Sequence, residues 1–220
     1  MNRLIVIAFV TCAAIATTAG SAGAANECRS LPVCVPVAGP WVLTGAREVE
    51  FQLACPRKFV VGGLDADISE RGISVDFRGA LGAPVNPGIT TSTSAVFLGR
   101  LVKPGNRTPS FRPWIGCIPG SGGQRAPTSV RVGPPATRRV TQLDVLPGIQ
   151  RFVVRCPAKQ QLASATHAIA FYLPAPPSAQ LAASVGVAQA IRDGRVYVTV
   201  RGAPELHGLR AIVQVDLLCA

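Results

Sequence analysis

Apolar and polar positions alternate along most of this chain, and one short phrase occurs twice. Val49, Phe51 and Leu53 alternate with Glu50, Gln52 and Ala54, the period of two that marks a β-strand with one buried face. That run ends in Cys55-Pro56-Arg57-Lys58, and further along Phe152-Val153-Val154-Arg155 ends in Cys156-Pro157-Ala158-Lys159. In both, Phe stands four residues before Cys, Pro follows directly and Lys comes three residues later. The shared spacing predicts two related copies.

Further strands are expected on both sides of each phrase. Val35, Val37, Trp41, Val42 and Leu43 form an apolar stretch broken by Pro36, Gly39 and Pro40, and residues 59–61, 73–77, 95–102 and 110–118 complete the first copy. Glu70-Arg71-Gly72 reads as a turn and residues 82–88, GAPVNPG, as a loop. In the second copy, residues 140–146, 152–156, 184–191, 195–201 and 209–219 read as strands, with turns at Pro147-Gly148 and Asp193-Gly194; Asp-Gly between apolar runs is a strong hairpin signal. Helical periodicity is confined to the alanine-rich residues 179–190.

This pattern predicts an all-β chain of two tandem immunoglobulin-like β-sandwich domains, stabilised by disulfides. The expected boundaries are a signal peptide at 1–25, a first sandwich at 26–120, a Gly/Pro-rich linker at 121–135 and a second sandwich at 136–220. Antibody-type domains carry a core Trp between their two cysteines. Here Trp114 lies just before Cys117 and the second copy has no Trp.

The N-terminus suggests a secreted or periplasmic destination. Arg3 supplies a positive start, residues 4–16 are apolar but short for a membrane span, and Ala22-Gly23-Ala24 offers a small-residue cleavage site. No later stretch has the length and apolarity of a transmembrane helix. Removing the leader removes Cys12 and leaves Cys28, Cys34, Cys55, Cys117, Cys156 and Cys219. An even set in an oxidising compartment suggests three bridges. The repeat selects Cys55–Cys117 and Cys156–Cys219, one per copy, and leaves Cys28–Cys34 to close a small loop. No pair has the close spacing of a zinc site, and no cofactor motif is present.

Charge brings in the partner. The formal charge is +11 and falls to +10 without the leader, whose only charged residue is Arg3. Arginine outnumbers lysine, and the Ala-, Gly-, Pro- and Val-rich composition suits a GC-rich bacterial genome. Arg107, Arg112, Arg125, Arg131, Arg138, Arg139 and Arg151 crowd the end of the first copy and the start of the second. Guanidinium forks suit phosphate and carboxylate, so a basic interdomain groove is expected, with Arg112, Trp114, Arg125, Arg131, Arg138 and Arg139 as binding residues. Nucleic acid fits poorly, for want of regularly spaced stacking aromatics.

Two other chemistries compete with this one. Asp65, Asp67, Glu70 and Asp76 form the densest acid cluster, which suits a glycoside hydrolase pair or, through Asp65, Asp67 and Glu70, a calcium site. A solvated strand edge is the plainer reading, and the second copy keeps none of these acids. Nucleophilic catalysis lacks support: His167 and His207 are the only histidines and no GxSxG elbow exists. The run Thr90-Thr91-Ser92-Thr93-Ser94 is too short for a regular hydroxyl array. The sequence thus describes a non-catalytic binding protein for an anionic polysaccharide, envelope component or protein. The alternatives are a carbohydrate-active hydrolase and a purely structural envelope module.

Overall fold

The computed structural model describes Cys28 and residues 33–79, 93–120 and 137–220. The expected leader, the loop at 82–88, Thr90 to Ser92 of the hydroxyl run, and the linker with Arg125 and Arg131 lie outside the described residues.

The described chain is all-β. Seven strands belong to the first copy: β1 Val35–Ala38, β2 Trp41–Leu43, β3 Val49–Ala54, β4 Phe59–Ile68, β5 Ile73–Gly79, β6 Ser94–Leu101 and β7 Ser110–Pro119. Six belong to the second: β8 Thr137–Asp144, β9 Gly148–Arg155, β10 Leu162–Phe171, β11 Val185–Arg192, β12 Arg195–Gly202 and β13 Ala211–Cys219. A helix, α1, covers only Ala179–Ala183, with Ser178 Oγ accepting the Leu181 N–H as its cap. The rest of the alanine-rich stretch enters β11, where the period-two pattern overrides helix propensity.

The repeated phrase is a corner. In each copy the chain leaves a strand at Cys-Pro and turns back into the next through Lys58 or Lys159, which adopt φ of 73° and 72°. Each turn closes by an i to i+3 bond, Phe59 N–H to Pro56 O at 3.1 Å and Gln160 N–H to Pro157 O at 3.2 Å. The cysteine then ties the corner to the last strand of its copy, Cys55–Cys117 and Cys156–Cys219, while Cys28–Cys34 closes the N-terminal loop. The repeat extends to an irregularity: β4 shifts register between Val61 and Gly63, and β10 between Leu162 and Ser164.

The two copies share one sheet. Its order is β4, β7, then β1 and β2 end to end, then β10, β13 and β8. Gly39 makes the break between β1 and β2; a Cβ there would stand 2.5 Å from Pro113 Cγ. The junction between copies is the antiparallel pairing of Trp41 with Phe171 and Val42 with Ala170.

Each copy adds a small sheet, β3-β6-β5 or β9-β12-β11, and the two lie on opposite faces of the shared one. Alternate residues of β13 show this. Ile212 joins Phe51, Phe97, Phe111 and Ile115 in one core, whereas Val213, Val215 and Leu217 join Val154, Val196 and Val198 in the other. Val42 and Leu43 divide in the same way. The first core also takes in Ala168 and Ala170 of the second copy. At the copy boundary, Gln214 Oε1 accepts the Gln52 N–H at 2.6 Å and its Nε2 donates to Gln52 O at 3.0 Å, capping the free edge of β3.

Candidate functional site: a basic sheet face

The outer face of β9, β12 and β11 is built by strict alternation. Val196, Val198 and Val200 point inward and are almost wholly buried, which forces Arg195, Tyr197, Thr199 and Arg201 onto the other side. The register lines these up with their neighbours. Arg195 lies opposite Arg155 on one side and Arg192 on the other, Tyr197 between Val153 and Ala190, and Thr199 between Arg151 and Ala188. The Asp193-Gly194 turn that joins β11 to β12 has φ of 49° and 67° at its two residues, the left-handed geometry of a two-residue hairpin.

Five arginines, Arg151, Arg155, Arg192, Arg195 and Arg201, therefore share one exposed face. Among the described residues none of them enters an ion pair; the pairs formed are Arg138 with Glu50 and Asp216, and Arg210 with Asp144. Like charges directly opposite across strands destabilise a sheet, so the row Arg155, Arg195, Arg192 works against folding. Arg139 joins its margin, donating from Nη1 to Arg155 O at 3.0 Å. A hollow of about 390 Å³ opens at the end of the row, lined by Arg155, Gln160, Gln161, Leu162, Asp193 and Arg195. Tyr197, 38 % exposed, supplies a ring between the basic rows. The corresponding face of the first copy carries Val96 and Leu98, both buried, with Glu50 and Asp76 alongside.

The residues singled out from the sequence are distributed differently. Arg138 is largely covered between the copies, held by Asp216 Oδ2 at 2.7 Å and by Glu50. Burial pushes the Asp216 carboxyl up to about 6; Arg138 opposes the shift and Glu50 adds to it.

Arg112 and Trp114 do share a face of β7, and that face also holds Asp67 and Asp65, their register partners on β4. The Arg112 guanidinium carbon lies 5.0 Å from the centre of the Trp114 ring, and its Nε donates to Gly39 O at 3.0 Å. Trp114 Nε1 donates to Asp67 Oδ2 at 2.8 Å, and Asp65 Oδ1 accepts the Ala66 N–H at 2.8 Å.

Glu70 sits at the end of β4, where its Oε2 accepts the Arg107 N–H, and Asp76 lies on β5 in another sheet. Among the described residues no group of three or more His, Cys, Asp or Glu side chains is placed to hold a metal. His167 donates from Nδ1 to Gln189 Oε1 at 3.0 Å within the second copy.

Arg155, Arg192, Arg195 and Arg201 were not among the sequence candidates. Their signal is the alternation Arg195-Val196-Tyr197-Val198-Thr199-Val200-Arg201, whose apolar face marks the strand and whose second face carries the arginines. Two larger hollows, of about 680 and 600 Å³, flank the loop around Gly105 but gather no comparable set of like charges. No helix among the described residues is long and apolar enough to cross a membrane. No family model, curated protein or solved structure matches the chain.

Proposed function

We propose that this is an exported, non-catalytic binding protein that grips a polyanion of the cell envelope through the arginine rows of β9, β12 and β11. Export rests on the leader-like N-terminus and the three disulfides, and the fold reads as two immunoglobulin-like sandwiches fused through one sheet. The observation that carries the binding reading is the row Arg155, Arg195, Arg192, whose three guanidinium groups enter no ion pair among the described residues although Asp193 stands in the turn at its end. An anionic ligand would relieve their mutual repulsion, and guanidinium forks on a flat sheet can engage successive carboxylates or sulfates. Tyr197 and the small residues Ala188 and Ala190 leave room for a chain to lie across the strands.

The test uses heparin and polygalacturonate as anionic probes, with dextran as a neutral control, titrated at low and physiological salt. Three exposed charge contacts at roughly 0.5 kcal/mol each predict about a tenfold loss of affinity in the triple variant Arg155→Gln, Arg192→Gln, Arg195→Gln. The wild-type affinity should fall with added salt, and Arg112→Gln should leave it unchanged. Equal binding by the triple variant and the wild type would reject this face as the site.

A further inference from the structure

The two copies are joined head to tail. β2, at one end of the first copy's share of the sheet, pairs with β10, at the opposite end of the second copy's share. The registers place β8 of the second copy where β2 stands in the first, and β4 of the first where β10 stands in the second. Among the described residues, the two edges that meet inside the molecule are thus repeated at its ends without a strand partner, the Ala66 N–H of β4 bonding only its neighbour Asp65 Oδ1. Among the described residues β8 pairs only with β13, and β4 only with β7.

The internal junction has a second component. β3 overhangs the edge of β2, so that Phe51 is buried in a core with Ala168, Ala170 and Ile212 of the other copy. In the second copy β9 takes the place of β3 and Phe152 the place of Phe51, opposite Val198 as Phe51 is opposite Phe97. Phe51 is fully buried and Phe152 only partly so. Trp41, 6 % exposed, is matched at the free end of β8 by the exposed Gln142. Charges at the overhang are exchanged in a complementary sense. β9 presents Arg151 where β3 presents Glu50, and the receiving face presents Asp65, Asp67 (which accepts from Trp114 Nε1) and Arg112, two acids against one base, where the second copy has Thr166, Ala168 and Gln214.

We propose that copies of this chain add head to tail, the free edge of β8 and the overhanging β9 of one molecule docking on the edge of β4 and the adjoining Asp65/Asp67 face of the next. The contact is heterologous and its two halves lie at opposite ends of the molecule, so the assembly is open and grows into a filament. Because the second copy is turned over relative to the first, two steps restore the facing, and successive molecules are related by translation along the sheet combined with the sheet's own twist. The sheet has six strand columns per molecule. At ~4.8 Å per strand this gives an axial repeat of about 29 Å.

The chain runs on along β7 just past the end of β4, where Ser69 N–H still donates to Ser110 O, and the equivalent register there pairs Gln142 with Glu70, as Trp41 pairs with Phe171. Val145 N–H donates to Ala211 O, so by alternation along β8 the backbone of Gln142 points outward, making this a hydrogen-bonded pair about 5.5 Å apart at Cα, a distance a disulfide spans. The full chain carrying both Glu70→Cys and Gln142→Cys should give, under mild oxidation, a ladder of dimers, trimers and higher species that collapses with reductant. The two single variants should form mixed dimers when combined.

Gln142→Pro, which removes one outward amide and leaves the pairing to β13 intact, should raise by at least tenfold the concentration at which the unsubstituted chain associates in sedimentation velocity. Its circular dichroism should be unchanged. Cross-linking that stops at a dimer would show a closed interface and overturn the proposal. So would a natively folded double variant that gives no ladder, or association that Gln142→Pro leaves unmoved.

Discussion

Replacing Asp216 by Asn tests whether burial or ion pairing dominates at the boundary between the copies. The Asp216 side chain is almost fully buried, 2.7 Å from Arg138 Nη1, and its carboxyl is pushed from the ordinary 3.8 to about 6, chiefly by burial. A rise of about two pK units corresponds to about 3 kcal/mol. Below pH 3.8 the carboxyl is protonated in both folded and unfolded chains and this cost is absent. Between 3.8 and 6 the unfolded chain has released its proton while the folded one still holds it, so stability falls as pH rises. Above 6 the whole cost of about 3 kcal/mol stands.

Asparagine keeps the shape without the titration. The wild type should therefore lose about 3 kcal/mol relative to Asp216→Asn between pH 4 and 7. In urea, at an m-value of about 2 kcal/mol/M, that is a relative midpoint shift of about 1.5 M. Urea rather than guanidinium is the denaturant, since the latter's ions would screen the pairs. A difference that stays flat across the window would refute the reasoning. One that moves in favour of the wild type as pH rises would show that the Arg138 pair outweighs burial.

Two further outcomes follow from the packing. Removing the Cys55–Cys117 bridge by a double Ala substitution should lower stability by about 4 kcal/mol in the chain-entropy picture, given the 62-residue separation it closes; a loss under 1 kcal/mol in urea unfolding would contradict this. Phe51→Ala should cost about 3–5 kcal/mol, because the ring is fully buried between the copies. Phe152→Ala should cost less than half as much in the monomer, and equal costs in dilute solution would mean that the two overhangs are covered alike.

Much of the strand plan was legible because burial leaves a period of two. Val49, Phe51 and Leu53 all face the first core, and Asp193-Gly194 makes the turn its chemistry allows. The disulfide pairing followed from the repeat, since a bridge that joins corner to last strand in one copy must do so in the other. The junction of the copies was not legible. It is made by two residues of β2 with two of β10, and neither Trp41-Val42 nor Ala170-Phe171 differs in composition from any other strand end. The placement of the arginines was hidden for a related reason. Arg107 to Arg151 are neighbours in sequence, yet strand order puts Arg138 in an interior ion cluster and brings Arg155, Arg192 and Arg195 side by side from three strands.

The divergence of the copies follows the positions that the shared sheet leaves in contact. Where β3 meets the second copy, its edge is capped by Gln214 and its Glu50 is neutralised by Arg138; there the sequence is committed to holding the two halves together. Among the described residues the same positions in β9 have no partner from the first copy, and they are Arg151 and the exposed Val153. An edge kept only for stability would carry scattered or paired charge, because unpaired like charges cost stability and gain nothing. One face that concentrates arginine, beside an edge that leaves Phe152 only partly covered, is what the two proposed contacts outside the chain would require. The face would meet a polyanion and the edge another copy. A filament of such molecules would repeat the arginine row at every step, so that many weak contacts act on one polymer at high effective concentration.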